Sequence, residues 1–98
     1  MTQFKTFADL VFEDWGARHN QRPCPIGGKQ AILNFDNGYG VSVLLGDYFY
    51  SNGIDTYELA VLYKGSLCYT TPVTDDVLGY ITKEQVTEAM IQLQKLPK

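Results

Sequence analysis

The sequence contains one histidine, two cysteines and no long apolar run, and each shortage argues against a class of protein. A Ser-His-Asp triad would have to use His19, and no nucleophile elbow is present. A zinc site would need His19, Cys24, Cys68 and a carboxylate to converge from distant positions, without a chelating pair. A membrane-spanning helix needs roughly 20 consecutive apolar residues. We therefore expect no catalytic residue, no metal, no cofactor and no membrane segment.

Basic residues are also few. The 98 residues include 8 Lys and Arg against 11 Asp and Glu, a net charge of −3, and the basic residues are scattered along the chain. Nucleic-acid binding usually requires a clustered basic patch that neutralises phosphates. The acidic excess is also too small for the protein to mimic the phosphate charges of DNA. The expected partner is therefore not a nucleic acid.

Three short motifs have a simple structural interpretation beside a chemical one. The segment IGGK, residues 26–29, lacks the upstream glycine and the following Ser or Thr of a phosphate loop, so we expect a turn. Asp75 and Asp76 are paired acids, which can catalyse hydrolysis, but they also suit the start of a helix. Cys24 and Cys68 form no CxxC motif and follow no secretory signal pattern, so we expect reduced thiols in a cytoplasmic protein; a disulfide is the alternative.

The composition predicts one globular domain over residues 1–98. It is 45% hydrophobic and 19% charged, with five Phe, seven Tyr and one Trp. A chain of this size can bury one core and little more. At the start, Thr6 and Asp9 suit a capped helical turn at residues 6–10, and residues 11–15 suit a short strand. A single longer helix over the same residues is the alternative.

Two turn signals predict β-hairpins. Asn37-Gly38 joins the strands KQAILNF and YGVSVLLG, and a two-residue turn there places Phe35 opposite Gly40, with both turn residues at positive φ. Lys64-Gly65 joins TYELAVLY and SLCYTT. In that second register three pairs face each other: Leu62 and Leu67, Ala60 and Tyr69, Val61 and Cys68. The apolar run 59–63 predicts a central strand that is covered on both faces.

The C-terminal part has the clearest helix signals. Residues 74–79 read as one helical turn that Thr74 caps and Gly79 stops. A longer helix then begins after Thr82, with Gln85 as the partner of a capping box and Ile81 and Val86 placed for a hydrophobic staple. Its apolar face comprises Val86, Ala89, Met90, Leu93 and Leu96, and Pro97 follows. The predicted fold class is α+β: an antiparallel β-meander of about four to five strands, with a short N-terminal helical turn and a C-terminal amphipathic helix packed on one face.

An aromatic-rich connection at residues 47–55 is the candidate binding site. Tyr48, Phe49 and Tyr50, with Tyr57 just beyond, place a large amphipathic surface on a loop. Tyrosine is favoured at protein interfaces because it offers contact area at a small entropic cost. The alternative is that the loop folds back as a lid on the core. Tyr39 and Tyr80 could extend the same patch, which the sequence leaves open.

Three segments carry a resemblance to a known family. They are QAILNFDNGYGVSVLLG, DTYELAVLYKGSLCYTTPVTDDVLGYIT and EQVTEAM. The pattern resembles a family of small bacteriophage and prophage proteins with F-x-N-G-Y-G-V-S-V, Y-E-L-A-V-L and T-P-x-T-x-D-V-x-G-Y segments and a terminal helix. The matching positions are 35, 37–43, 57–62, 71, 72, 74, 76, 77, 79 and 80. The resemblance begins at Gln30 and implies a phage origin, but no activity.

Together these features favour a non-enzymatic module that binds a host or phage protein. A self-associating structural or assembly protein of a phage is the second hypothesis, because the edge strands of a small sheet can pair between chains. A small enzyme that uses Asp75, Asp76 or Cys68 is the third. The expected location is the cytoplasm of the bacterial host.

Overall fold

A computed structural model of the chain describes residues 4–14, 28–46, 49–68, 71 and 77–97. These residues form an α+β fold with an antiparallel sheet and one helix, which confirms the predicted fold class. A 3₁₀ turn, Phe7–Asp9, precedes the sheet. The strands are β1 (Glu13–Asp14), β2 (Lys29–Asn34), β3 (Tyr39–Leu45), β4 (Tyr57–Tyr63), β5 (Ser66–Leu67) and β6 (Leu78–Ile81), and helix α1 is Lys83–Gln94.

Strand β4 is the centre of the sheet. The order is β1-β2-β3-β4-β5, all antiparallel, so β3 lies along one edge of β4. The other edge is shared: β5 pairs with the end of β4 at Leu62 and Tyr63, and β6 pairs with its beginning at Tyr57 and Leu59. Residues 59 to 62 are all buried, as expected for a strand that is covered on both faces.

The main core lies between one face of the sheet and α1. Val41 and Val43 of β3 and Leu59 and Val61 of β4 face the helix and are at most 1% exposed. The helix contributes the predicted apolar stripe: Val86, Ala89, Met90 and Leu93 are buried. Leu96 lies just beyond the last helical residue and packs half-buried against the same core. Burial of a large aliphatic side chain contributes about 1.5–3 kcal/mol, so this contact is the main source of stability.

The opposite face of the sheet carries buried polar groups. Gln30 and Ser42 are each 7% exposed, and the Gln30 side-chain amide donates a hydrogen bond of 2.8 Å to the Ser42 hydroxyl. A buried polar group without a partner would cost free energy, and this bond gives each of the two side chains a partner. Ala60 and Leu62 are buried on the same face.

Both helical starts are capped as the sequence predicts. At α1, the Thr82 N–H donates to Gln85 Oε1 at 2.8 Å, and the Gln85 N–H donates to Thr82 Oγ1 at 3.3 Å. Ile81 and Val86, the two residues of the predicted staple, belong to the same core. At the N-terminal turn, Asp9 Oδ2 accepts from the Thr6 N–H at 2.8 Å.

The turn-plus-strand interpretation of residues 6–15 is confirmed, and the single longer helix is wrong. Leu10 is extended, with φ of −77° and ψ of 138°, and the chain then enters β1. Strand β1 contains only Glu13 and Asp14, which pair with Gln30 and Lys29 of β2. Trp15 and residues 18–27 lie outside the described residues.

The first hairpin is present, but its predicted register is wrong by one residue. Gly40 lies opposite Asn34, not Phe35. The loop has three residues: the Gly38 N–H donates to the Phe35 carbonyl at 3.2 Å, and Gly38 has φ of +93° whereas Asn37 keeps a negative φ. Close approach of the neighbouring strand explains why a glycine is required at position 40. A Cβ at this position would lie 2.7 Å from the Leu33 carbonyl oxygen.

Tertiary hydrogen bonds explain why the Asn-Gly pair adopts this loop. Asn37 Nδ2 donates to the carbonyl oxygens of Leu93 and Leu96, at 2.8 and 2.9 Å, and Asn37 Oδ1 accepts from the Tyr39 N–H at 3.1 Å. The tip of the first hairpin thus caps the C-terminal end of α1, where carbonyl groups lack helical donors.

The second hairpin has the predicted register. Leu62 lies opposite Leu67, and the Cys68 N–H donates to the Val61 carbonyl at 2.9 Å. Lys64 and Gly65 have φ of +51° and +87°, the two positive values of a type I′ turn. The predicted pair of Ala60 with Tyr69 lies outside the described residues.

The predicted helical turn at residues 74–79 is wrong where the structure describes it. Gly79 does not stop a helix; it lies within β6, which pairs with β4. The free edge of β4 beyond β5 overrides the local helix signal, because it offers backbone partners and a place in the core for Leu78 and Ile81. Thr74, Asp75 and Asp76 lie outside the described part of the chain.

We predict that the amide of Asn37 is required for stability. Asn37→Ala removes two hydrogen bonds to the helix end and is expected to lower the free energy of unfolding by about 1–2 kcal/mol. Asn37→Asp is expected to cost more, about 2–3 kcal/mol, because a carboxylate would face carbonyl groups at the negative end of the helix. Urea unfolding measures both. The control Asp36→Asn, on the exposed neighbour, should change stability by less than about 0.5 kcal/mol. A stability of Asn37→Asp equal to that of the wild type would contradict the capping role.

Candidate binding surface

Polar side chains hold the described part of the connection between β3 and β4, residues 49–56. Asn52 Oδ1 accepts hydrogen bonds of 2.8–3.0 Å from the backbone N–H groups of Ile54, Asp55 and Thr56. Asn52 Nδ2 donates to Asp55 Oδ1 at 2.7 Å. One asparagine therefore satisfies three consecutive backbone donors, which fixes the conformation of residues 52–56.

Ser51 anchors the same loop to the sheet. It is 4% exposed, its hydroxyl donates to the Thr56 carbonyl at 2.6 Å, and the Gly46 N–H at the end of β3 donates to it at 3.3 Å. The loop is thereby closed across its base. A loop fixed in this way loses little conformational freedom on binding a partner.

Tyr50 and Tyr80 form an exposed aromatic pair. Their ring centroids lie 6.3 Å apart with an interplanar angle of 58°, and the two residues are 58% and 61% exposed. The Tyr80 N–H donates to the Tyr50 carbonyl at 2.8 Å, and the Tyr50 N–H donates to Glu58 Oε1 at 3.1 Å. Backbone contacts on both sides of Tyr50 therefore set the position of the pair.

A β-bulge brings Tyr80 to this position. Tyr57 pairs with Ile81 and Leu59 with Leu78, so two residues of β6, Gly79 and Tyr80, lie opposite the single residue Glu58. Tyr80 has φ of +54°, a left-handed conformation that is uncommon for an aromatic residue and costs of order 1 kcal/mol. The pairing of β6 with β4 maintains this local strain.

Gly79 lets the two tyrosines approach. A Cβ at this position would lie 2.8 Å from Tyr50 Cβ, closer than two unbonded carbons can come. The glycine that the sequence suggested as a helix stop therefore serves the contact between β6 and the loop.

The predicted aromatic site is divided between the surface and the interior. Of its four residues, Tyr50 is exposed on the surface and Tyr48 lies outside the described residues. Phe49 is half-buried, with its ring against Gly46: Phe49 Cδ2 lies 3.2 Å from where a Gly46 Cβ would be. Neighbouring residues of the loop thus differ in exposure, and the binding role of the loop stays a prediction.

Tyr57 belongs to an inner aromatic cluster with Phe7 and Phe12. Its ring centroid lies 5.0 Å from that of Phe7 and 5.8 Å from that of Phe12. Burial raises the pKa of Tyr57 above its ordinary value of 10.0, and the negative charges of Asp55 and Glu84 raise it further. The cluster closes the N-terminal segment onto β4, so Tyr57 has a structural role here.

Tyr39 does not extend the surface around Tyr50. It lies opposite Tyr63 in the sheet, with ring centroids 4.7 Å apart, near the two hairpin turns. Two residues that the sequence analysis did not select accompany Tyr50: Ile54, in the same loop, is 79% exposed, and Glu58 accepts a hydrogen bond from the Tyr50 N–H. An isoleucine among the polar residues 51–56 was the available signal for the first; the second depends on the bulge, which no local pattern indicates.

Other candidate groups give no reactive cluster in the described regions. Residues 4–14, 28–46, 49–68, 71 and 77–97 contain no group of three His, Cys, Asp or Glu that could hold a metal ion. Within the same ranges no helix is long and apolar enough to cross a membrane. Cys68 packs half-buried against the core. His19, Cys24, Asp75 and Asp76 lie outside the described residues.

Comparison of the chain with protein-family models, with curated proteins and with solved structures found no match. The resemblance to phage proteins therefore rests on the sequence segments quoted above, and the surface has to be interpreted from its own chemistry.

We predict that Gly79→Ala separates the two tyrosines. The added methyl group would overlap Tyr50 Cβ, so the loop has to move away from β6, and the nuclear Overhauser contacts between the rings of Tyr50 and Tyr80 should disappear. The expected loss of stability is about 1–3 kcal/mol, as for other overpacking substitutions. Gly65→Ala is the control, because nothing lies within 4 Å of a Cβ there. It should cost stability through its positive φ yet leave the ring contacts intact. Retained ring contacts in Gly79→Ala would contradict the predicted overlap.

We also predict a pH dependence from Tyr57. Because its pKa is raised in the folded state, the folded protein holds this proton more tightly than the unfolded chain. The stabilisation is complete below about pH 10, the pKa of an unperturbed tyrosine, and is lost as the pH rises through the folded-state value. Tyr57→Phe cannot ionise, so its unfolding free energy should fall less between pH 9 and about 11.5. Urea unfolding of both proteins across this range tests the prediction, and parallel profiles would rule it out.

Proposed function

We propose that this chain is a non-enzymatic protein-binding module, encoded by a bacteriophage or prophage, that binds a host or phage protein and modulates a host process. The phage origin rests on the sequence resemblance. The binding function rests on the exposed pair of Tyr50 and Tyr80, which we call the tyrosine surface.

One observation carries the proposal: two tyrosines more than half exposed are held together by a strained, bulged strand. Exposed tyrosines on a rigid support are typical of interface hot spots. The left-handed conformation of Tyr80 adds to this, because backbone strain clusters at functional sites. If Tyr80 had no function, glycine or asparagine would be favoured at this position, because both adopt a positive φ with less strain than tyrosine.

The surface has the properties that binding requires. The fixed loop limits the entropy that would be lost on association. The tyrosines combine aromatic rings with polar hydroxyl groups, a mixture that suits the centre of a protein interface, and Ile54 exposes an apolar side chain in the loop that carries Tyr50. The proposal assigns no catalytic role to any residue.

A second candidate function is self-association in a phage assembly, and the edge of β2 favours it. β1 pairs only with Lys29 and Gln30, so among the described residues the outer edge at Ile32 and Asn34 has no strand partner. Ile32 is 39% exposed. Such an edge can pair with a second copy. Sedimentation at several concentrations tests this function, and a strict monomer would exclude it.

We predict that the double variant Tyr50→Ala, Tyr80→Ala loses binding to the partner. Tagged wild-type protein is used to capture partners from a bacterial lysate, and the captured protein is then purified and its Kd measured. Loss of two hot-spot tyrosines should weaken binding at least about 30-fold. The matched control is Val11→Ala with Leu67→Ala, which removes two side chains that are 70% and 58% exposed elsewhere. Equal binding by both double variants would disprove the role of the tyrosine surface, and so would the absence of any partner of the wild type.

A further inference from the structure

We infer that the tyrosine surface recognises an arginine side chain of its partner, with the guanidinium group against the rings of Tyr50 and Tyr80 and close to the carboxylate of Glu58. The inference deepens the proposed function, because it names the chemistry of the group that would be bound.

The ring pair can accept a cation. Its centroids are 6.3 Å apart and its planes are inclined by 58°, so the rings form an open angle instead of a closed stack. The exposure of both residues leaves ring surface accessible to a partner. A cation within about 6 Å of a tyrosine ring centroid is attracted by the negative face of the ring.

The carboxylate of Glu58 lies next to the backbone of Tyr50. Glu58 Oε1 accepts the Tyr50 N–H at 3.1 Å, and Glu58 lies opposite the bulge that carries Tyr80. A carboxylate has two oxygens and about four acceptor positions, so this one bond leaves acceptor capacity. Glu58 is half-buried, which reduces screening of its charge by solvent.

The surrounding sequence is acidic. Residues 30–82 contain a single basic residue, Lys64, against six acidic ones: Asp36, Asp47, Asp55, Glu58, Asp75 and Asp76. The other seven basic residues lie before or after this segment. Of these acids, Asp55 and Glu58 lie in the described segment that follows Tyr50, and their charge favours a cationic partner group over an anionic one.

The protein places its own lysines on other aromatic rings. Lys64 Nζ lies 5.4 Å from the ring centroid of Tyr63, and Lys95 Nζ lies 5.9 Å from that of Phe4. Among the residues that the structure describes, no cation lies over Tyr50 or Tyr80.

Burial of this surface selects arginine over an apolar group. A partner that covers Tyr50 and Tyr80 also removes water from Glu58, and a carboxylate buried without a donor is costly. A guanidinium group can both cover the aromatic rings, on which its plane stacks, and donate N–H groups to the carboxylate. An apolar side chain can cover the rings but offers no donor to Glu58.

The test uses N-acetyl-arginine amide as the probe, with N-acetyl-citrulline amide as an uncharged control of the same shape. Ring resonances of Tyr50 and Tyr80 are followed by NMR during titration. We expect saturable shifts with the arginine probe, at a Kd of about 1–10 mM, and at least fivefold weaker binding of citrulline. Raising the ionic strength from about 0.05 to 0.5 M should weaken arginine binding.

Two variants separate the contributions of the carboxylate and the ring. Glu58→Gln keeps an acceptor for the Tyr50 N–H but removes the charge, and should weaken arginine binding about fivefold without altering citrulline binding. Tyr80→Ala should weaken it by a similar factor, and Leu67→Ala should leave it unchanged. Equal binding of arginine and citrulline, unchanged binding by Glu58→Gln, or shifts confined to residues outside this surface would each overturn the inference.

The outcome is distinguishable from failure of the proposed function. A partner that needs Tyr50 and Tyr80 but is insensitive to Glu58→Gln and is not displaced by the arginine probe would support the binding function and overturn arginine recognition. Specific binding of the arginine probe without any protein partner would support the chemistry of the surface and argue against the proposed function.

Discussion

Packing of helix α1 across β3 and β4 is the contact on which the rest of the structure depends. Val86, Ala89, Met90 and Leu93 meet the buried residues of the two strands, and nearly all of the large, fully buried side chains of the described fold lie in this layer. A chain of this length can form one such core. The N-terminal segment, the first hairpin and β6 each attach to the helix or to the strands beneath it, by hydrogen bonds from Asn37 or by aromatic and aliphatic contacts.

The position of the tyrosine surface follows from the way in which β5 and β6 share one edge of β4. β5 pairs only with the last residues of β4, so the first half of the same edge of β4 is available to β6. β6 pairs there with a β-bulge. The bulge places Gly79 and Tyr80 opposite Glu58 and beneath Tyr50. The same two strands that complete the core thus hold two tyrosines and a carboxylate together at the surface. Stability and the candidate site are linked through one strand edge, with the strain at Tyr80 offset by the pairing around it.

The two hairpins show how tertiary contacts select a turn. Asn-Gly is the stronger signal for a two-residue type I′ turn, yet Lys64-Gly65 adopts that geometry while Asn37-Gly38 lies in a three-residue loop. The difference lies in the asparagine side chain, whose amide reaches two carbonyl groups at the end of α1. The Lys64 side chain makes no comparable hydrogen bond to the helix, and the second hairpin keeps the register of a two-residue type I′ turn. A shift of one residue in the first hairpin therefore reflects a contact about 56 positions away in the chain.

Features that depend on neighbouring residues could be predicted from the sequence: the Thr82 cap, the apolar stripe of the helix, the N-terminal turn, the central strand and the α+β class. These follow from periodicity and capping, which act within a few residues. Contacts between distant segments place Gly79 in a strand and Gly40 opposite Asn34. They also leave Tyr50 exposed while Phe49 and Tyr57 are half-buried. Each of these depends on which edge or core position is still unoccupied when distant segments meet, and a local pattern does not contain that information.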